Sequence, residues 1–302
     1  MYLILKEAGV ELIPFPNVSP EIFSVTVFGF DLSLRWYALS YVVGFIIASA
    51  VMKFFVHREV LWVRSVPPMD KEQVDSLLTY MILGVILGGR IGYVLFYNFD
   101  YYSVNLLEVV QVWDGGMSFH GGFIGVVFAA YCYFIYNGIS ILSGADLVAL
   151  ATPPGLFLGR VANFINAELW GRPTDVPWGV VFPGSAAQAC QGVVGACARH
   201  PSQIYEALLE GLLLFFVILV FSFLGLLKRP GFITGVFIFW YGISRFIVEF
   251  YRVPDPQFFS NENIYGFALN VGGFGMTMGQ ALSCTMIILG LFLIMIARKK
   301  ET

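Results

Sequence analysis

Charged residues are scarce in this 302-residue sequence, where Asp, Glu, Lys and Arg together make up 12% of the chain. No basic stripe is interleaved with aromatic residues and the net charge is −3, so we expect no nucleic-acid partner. The three histidines and four cysteines have no metal-site spacing, so we expect no metal. A cleavable signal peptide is also not predicted, because Lys6 and Glu7 interrupt the short apolar start.

Apolar residues are abundant: 58% of the chain is hydrophobic, 17% is aromatic and the mean hydropathy is +0.78. Several apolar runs approach the roughly 20 residues that a helix needs to cross a bilayer. The sequence therefore predicts an all-α polytopic membrane protein with about seven transmembrane helices. We place them at about Ser33 to Val56, Val74 to Tyr97, Met117 to Tyr136, Ala145 to Phe164, Ile204 to Leu227, Phe232 to Tyr251, and Met276 to Ala297.

Basic residues indicate the orientation of these spans. They concentrate after the first, fifth and seventh spans, which the positive-inside rule assigns to the cytoplasm. The N-terminus is then outside and the C-terminus inside. Residues 1–32 and 98–116 are expected to form outer arms, and residues 163–203 a small outer head. Because no internal repeat or low-complexity tract is evident, we treat residues 1–302 as a single transmembrane domain.

The cysteines fall into two groups. Cys132 and Cys284 lie inside predicted spans, where packing is the simplest explanation. Cys190 and Cys197 lie in the predicted outer head, where an oxidising compartment permits a disulfide. The sequence leaves open whether this pair is joined or free.

Ionisable side chains inside the spans are costly in lipid and by default indicate function. They concentrate in the predicted outer halves of the helices, which favours one polar cavity open to the outer leaflet. These residues are Arg90, His120, Arg160, Glu206, Glu210, Arg245 and Glu249.

The sixth span carries four polar residues on one helical face: Tyr241, Arg245, Glu249 and Arg252. They are interpreted either as a charged wall of the cavity or as a structural Arg245–Glu249 pair. In the second case, Arg252 would extend to the membrane interface.

Arg160 and Asn163 also share a helical face, at the end of the fourth span. A guanidinium fork beside amide donors suits a phosphate, which accepts several charge-assisted hydrogen bonds. The alternative is an arginine that caps the carbonyls of its own helix. Asn166 and Glu168 follow in the loop, from which they can reach back over the cavity mouth.

The second and third spans contribute two further candidates. Gly84, Gly88 and Gly92 have the spacing of closely packed membrane helices. Arg90 lies on another face, pointing either into the cavity or toward a carboxylate. His120 is a candidate general base because imidazole titrates near neutral pH, although a structural role is the open alternative.

Five segments, in order from Leu34 to Asp255, carry a family resemblance: LRWYALSY, WDGGMSFHGG, GRVANFINAELWG, RHPSQIYEALLEG and YGISRFIVEFYRVPD. Together they closely resemble the prolipoprotein diacylglyceryl transferases, which are multi-pass proteins of the bacterial plasma membrane. The segment PGSAAQACQGVVGACA matches none of these motifs, so the role of its cysteines cannot be carried over.

The resemblance implies transfer of the diacylglyceryl group from phosphatidylglycerol to the lipobox cysteine thiol of a preprolipoprotein. A thioether forms and glycerol 1-phosphate leaves, with the active site toward the outer leaflet. The partners would be phosphatidylglycerol, the signal peptide of the preprolipoprotein and the membrane. Because the phospholipid itself carries the activated bond, we expect no cofactor.

The resemblance also implies site residues. Arg160 and Arg245 would clamp the departing phosphate, His120 would accept the thiol proton, and Glu168 is the second candidate for that base. The expected lipid-binding residues are Tyr37, Asn163, Gly171 and Tyr241, to which we add Arg90 and Asn166 from their positions in the predicted cavity.

Two other classes of protein have buried charges. A secondary transporter for an anionic solute also lines its path with arginines, but it usually shows inverted repeats and broken helices, and neither is clear in this sequence. A scaffolding membrane protein would use the charges for pairing alone.

Overall fold

The fold is taken from a computed structural model that describes residues 6–7, 10–27, 30–190, 193, 195–254, 256–258, 260, 263, 265–271 and 274–298. Part of the predicted arm 1–32 lies outside these residues, as does Asp255, which ends the last motif. The described residues are mostly helical.

Seven helices are long and apolar enough to cross a membrane, which confirms the predicted number. Many of their apolar side chains are exposed, as expected where helices face lipid; Ile288, Phe128 and Val42 are examples. The chain is thus a multi-pass membrane protein. In order, the spans are Trp36–Val56, Lys71–Phe96, Phe119–Tyr136, Ile141–Ile165, Ser202–Phe223, Phe232–Glu249 and Met278–Ile296.

Capping explains where two spans begin. The second span starts three residues before the predicted Val74 because Asp70 and Gln73 form a capping box, in which each side chain accepts from the other's backbone N–H. Thr277 and Gln280 form the same arrangement at the start of the seventh span. Hydropathy alone does not reveal these polar first turns.

The second and third spans pack backbone to backbone through glycines. A Cβ atom at Gly88 would lie 2.4 Å from the Gly121 carbonyl oxygen, and one at Gly84 would lie 2.6 Å from that of Gly125. Gly92 approaches Gly121 in the same way. The structure confirms the packing role predicted for this glycine series.

Two spans depart from a regular α-helix. The fourth consists of Ile141–Ala151 and Pro153–Ile165, and Thr152 between them keeps helical torsion angles. The fifth begins as Ser202–Glu206, continues as a π-helix over Ala207–Leu213 and ends as Leu214–Phe223. Short π-helical segments are often found at functional sites.

A buried aspartate links the fourth and sixth spans. Asp146 is fully buried and accepts hydrogen bonds from the backbone N–H groups of Gly231 and Thr234, and from the Thr234 hydroxyl. It therefore caps the start of the sixth span from a neighbouring helix. Sequence reasoning missed this residue, although it lies inside an apolar run.

Outside the spans the chain forms short strands and helices. The paired strands are Lys6–Glu7 with Val10–Glu11, Ile13–Pro14 with Val180–Val181, Glu21–Val27 with Phe30–Arg35, and Leu269–Val271 with Phe274–Met276; only the second pair is parallel. The short α-helices are Phe99–Val104 and Ser185–Gln188. The 3-10 helices are Glu59–Leu61, Val63–Ser65, Leu106–Val110, Val112–Asp114, Leu226–Lys228 and Pro256–Phe258.

Residues 163–203 form a small apolar core together with the N-terminal part of the chain: Phe15, Phe164 and Trp170 pack around Phe182. Cys190 and Cys197 are joined by a disulfide in this region, which resolves the question that the sequence left open.

Candidate active site

A fully buried carboxylate, Glu206 at the start of the fifth span, contacts three arginines. Its Oε2 atom lies 3.0 Å from Nη1 of Arg160. Its Oε1 atom lies 3.0 Å from Nη1 of Arg245 and 2.8 Å from Nη1 of Arg252. The ends of the fourth and sixth spans are thus joined through one side chain of the fifth.

Two further glutamates complete this cluster. Glu249 pairs with Arg245 at 3.0 Å and with Arg252 at 3.6 Å. Glu210, in the π-helical segment, lies 3.5 Å from Arg160. We call these three arginines and three glutamates the ion cluster, and their formal charges cancel.

The ion pairs of the three arginines differ from the simple structural roles that were open in the sequence. The Arg245–Glu249 pair exists, but it is not isolated, because Arg245 also binds Glu206. Arg252 also belongs to the cluster, because it pairs with both Glu206 and Glu249. Arg160 likewise binds glutamates of the neighbouring helix, and within the described part of the chain it caps no carbonyl of its own helix.

The arginine side chains of the ion cluster are more exposed than the glutamate side chains. The side chains of Arg160, Arg245 and Arg252 each keep about one fifth of their surface exposed, at 20%, 21% and 18%, whereas Glu206 and Glu210 have none. An anionic group can therefore reach the arginines but not these two glutamates. Tyr241 also faces Arg160, so its phenol belongs to the same surroundings.

The turn after the fourth span is organised around Glu168. Its Oε1 atom accepts hydrogen bonds from Nδ2 of Asn163 at 2.7 Å and from Nδ2 of Asn166 at 3.3 Å. Ala167 and Leu169, on either side, have φ angles of +53° and +57°. Such angles are uncommon in residues other than glycine, and strained backbone is often found at functional sites.

Gly171 joins the region 163–203 to the end of the sixth span. It pairs with Arg252 in an isolated β-bridge, and its N–H donates to the His200 carbonyl. A Cβ atom here would lie 2.4 Å from the Tyr251 carbonyl oxygen and 2.8 Å from the Cβ of His200. These atoms leave no room for a side chain, so only glycine fits at this position.

His120 and Tyr37 stand apart from the ion cluster. His120 is exposed at the start of the third span, where its ring contacts Phe119. Tyr37 is exposed at the start of the first span and its hydroxyl lies 3.3 Å from that of Tyr41. Within the described residues, no hydrogen bond or ion pair joins either side chain to the cluster.

Arg90 does not join the cluster either, although it is buried. Its guanidinium donates to the backbone carbonyls of Val109, Glu108, Gly115 and Gly116 in the predicted arm 98–116. The alternative of a carboxylate pair is not seen among the described residues, where Arg90 binds the backbone carbonyl of Glu108 and not its side chain. Arg90 thus holds residues 98–116 against the second span, and its hydrogen bonds are made there and not with the ion cluster.

Arg199 has a comparable role that sequence reasoning missed. It is buried, donates to the carbonyls of Gly171, Ala187 and Ala189, and lies 4.1 Å from the Trp170 ring centroid. Burial lowers the pKa of Arg199 below its ordinary value. Its contacts are all backbone atoms and a ring, so no residue pattern in the sequence reveals them.

These features define a class of protein: a multi-pass membrane protein with an arginine-lined site where the fourth, fifth and sixth spans meet. Among the described residues, no group of three or more His, Cys, Asp or Glu is arranged to hold a metal ion.

Comparison with known proteins identifies the family. The profile of the prolipoprotein diacylglyceryl transferases matches residues 24–296. Among proteins named phosphatidylglycerol–prolipoprotein diacylglyceryl transferase, the one from Ruegeria pomeroyi is 56% identical over 94% of this chain and 97% of its own length. That from Brucella anthropi is 47% identical over 92% of this chain and 91% of its own length. The chain belongs to the prolipoprotein diacylglyceryl transferase family, and it is therefore a transferase, as the sequence predicted.

Proposed function

We propose that this chain transfers the diacylglyceryl group of phosphatidylglycerol to the lipobox cysteine thiol of a preprolipoprotein. A carbon–sulfur bond forms at the glycerol carbon, the bond from that carbon to the phosphate oxygen breaks, and glycerol 1-phosphate leaves. Family membership supports the reaction. The observation that carries the site assignment is the convergence of Arg160 and Arg245 on Glu206, with about a fifth of each arginine side chain accessible.

The arginines meet the main electrostatic demand of this reaction. Negative charge builds on the phosphate oxygens as the carbon–oxygen bond breaks, so donors fixed near those oxygens stabilise the transition state. Arg160 and Arg245 come from different helices and are held by ion pairs, so they require little reorganisation when the phospholipid binds. A partly dry site strengthens their attraction for phosphate relative to water.

The thiol proton must also be accepted. A free thiol has a pKa of about 8.5, so only a few per cent is thiolate near neutral pH. His120 is our proposed base: it is exposed at a helix start, where the substrate peptide can approach it. Glu168 is the second candidate, although it already accepts two amide hydrogen bonds.

The remaining polar residues would orient the lipid. Glu168 holds Asn163 and Asn166 at the end of the helix that carries Arg160, and Tyr241 lies beside Arg160. We propose that they and Tyr37 contact the head group or its ester carbonyls. Gly171 acts indirectly, through the backbone pairing that holds Arg252.

We further propose that the protein lies in the bacterial inner membrane with its N-terminus outside and its C-terminus inside. The supporting argument is the distribution of Lys and Arg along the sequence. The ion cluster would then be near the outer leaflet, on the side where lipoproteins are modified. An alkylation experiment with single cysteines in residues 98–116 and after residue 228 would test this orientation.

The direct test is a purified reaction. The protein is incubated with phosphatidylglycerol and a lipobox peptide in detergent micelles, and both glycerol phosphate release and peptide mass are measured. We expect the peptide to gain one diacylglyceryl group, and a matched peptide with serine in place of the cysteine to gain none. Absence of the modified peptide in several detergents would contradict the assignment.

A further inference from the structure

Glu206 has an unusual position for a carboxylate that no part of the proposed reaction uses. It has no exposed surface, yet each of its oxygens lies within 3.0 Å of a guanidinium nitrogen. The three arginines it contacts come from the fourth span and from the end of the sixth. No other described carboxylate joins Arg160 to Arg245.

The energetics explain why these groups occur together. A buried carboxylate is strongly unfavourable unless it is paired, and three guanidinium groups at close range repel one another. Glu206 offsets both effects at once, because Arg160 binds one of its oxygens while Arg245 and Arg252 bind the other. Removing its negative charge would leave the arginines with only Glu210 and Glu249, and they would separate.

The burial pattern determines what kind of role Glu206 has. Its carboxylate is inaccessible, whereas the arginines keep about a fifth of their side-chain surface exposed. A bound phosphate would therefore contact the arginines and not Glu206. Any effect of Glu206 on the reaction must act through the positions of Arg160 and Arg245.

We propose that Glu206 is a positioning residue that sets the spacing between Arg160 and Arg245 to match the oxygens of the departing phosphate. This inference rests on the proposed function, in which these arginines bind that phosphate. It adds which group fixes their spacing before the lipid binds: a carboxylate on the fifth span, between the fourth and the sixth in the sequence. Glu210 does not share this role, because it contacts Arg160 but not Arg245.

The test compares Glu206→Gln with the unmodified protein in mixed micelles of phosphatidylglycerol. Glutamine has nearly the same shape but no charge, so the arginines lose the negative charge that they share and the site gains positive charge. We expect kcat to fall at least tenfold, while the apparent KM for phosphatidylglycerol stays within about twofold or decreases. A purely structural role would lower the amount of folded protein without this separation of kcat from KM.

Two other variants keep the test decisive if Glu206→Gln folds poorly. Glu206→Asp retains the charge but withdraws it by one methylene, so we expect near-normal thermal stability with a reduced kcat. Asp146→Asn is the matched control, since it neutralises another fully buried acid that lies outside the ion cluster. It should lower the unfolding temperature and leave kcat and KM of the folded protein unchanged.

The outcomes separate the two proposals. If the unmodified protein lipidates the peptide and either Glu206 variant has normal kcat and KM, the positioning role is wrong and the proposed function stands. If the unmodified protein lipidates nothing, the proposed function itself fails. A fall in kcat confined to the Glu206 variants supports the positioning role.

Discussion

Arg160 and Arg245 bind opposite oxygens of the Glu206 carboxylate, each at 3.0 Å. They are 85 residues apart in the sequence and lie on different membrane spans. Their common partner brings two guanidinium groups close enough to act on one phosphate. Buried arginines that only paired with acids would have no need of accessible surface, and these retain about a fifth of theirs.

The proposed base is tested by His120→Gln. If His120 accepts the thiol proton, turnover at pH 7 should fall on the order of a hundredfold or more. Raising the pH toward 9 should restore part of the loss, because more of the peptide thiol is then ionised. Rates of peptide lipidation between pH 6.5 and 9 provide the measurement. Undiminished turnover at pH 7 would exclude His120 as the base. The Glu168→Gln variant would then test the second candidate.

The close packing of Gly171 is tested by Gly171→Ala. The added methyl group would meet backbone and Cβ atoms that cannot move independently. We expect a loss of about 1–3 kcal/mol in stability, the usual cost of overpacking. Gly159→Ala is the matched control, because a Cβ atom there meets nothing within 4 Å. Equal thermal unfolding temperatures for the two variants would contradict the packing argument.

The stability of the region 163–203 should depend on pH through His200. Burial lowers the pKa of His200 below its ordinary value of 6.5, and the nearby charge of Asp175 opposes this only in part. The unfolded chain therefore binds a proton more readily than the folded one, so stability is lost as the pH falls below about 6.5. Thermal unfolding from pH 8 to 5 measures the effect. The His200→Gln variant should show a smaller decline over that range, and an unchanged decline would refute the assignment.

The Cys190–Cys197 disulfide should stabilise the region that contains it. The bridge spans seven positions in sequence, and closing so short a loop contributes about 2–3 kcal/mol in the chain-entropy estimate. The double substitution Cys190→Ser with Cys197→Ser should therefore lower the unfolding temperature. Adding a reductant should have a similar effect on the unmodified protein but none on the variant. Identical unfolding with and without reductant would show that the bridge contributes nothing.

The helical framework was predictable because the membrane imposes a simple physical requirement. A span must be apolar over about 20 residues, and hydropathy alone placed all seven helices within about four residues of their observed bounds. The deviations have local causes, such as the polar capping box at Asp70. The strands were not predicted. Three of the four pairs join strands of only two or three residues, which carry no periodic signal. The longer pair, Glu21–Val27 with Phe30–Arg35, lies directly before the first span.

The candidate site was only partly predictable. The high cost of charge in lipid singled out Arg160, Arg245 and Glu206 from the sequence. Their arrangement was not predictable, because a carboxylate shared by three arginines depends on how three helices approach one another. The contacts of Arg90 were also hidden, since most of its partners are backbone carbonyls between the second and third spans.

The most direct test of the central claim, that Arg160 and Arg245 together hold the departing phosphate, is the turnover of Arg245→Lys at saturating phosphatidylglycerol. Lysine keeps the positive charge and can still pair with a carboxylate, but it lacks the planar fork that binds two oxygens at once. We predict that kcat falls on the order of a hundredfold with little change in unfolding temperature. A variant that turns over as fast as the unmodified protein would contradict the account.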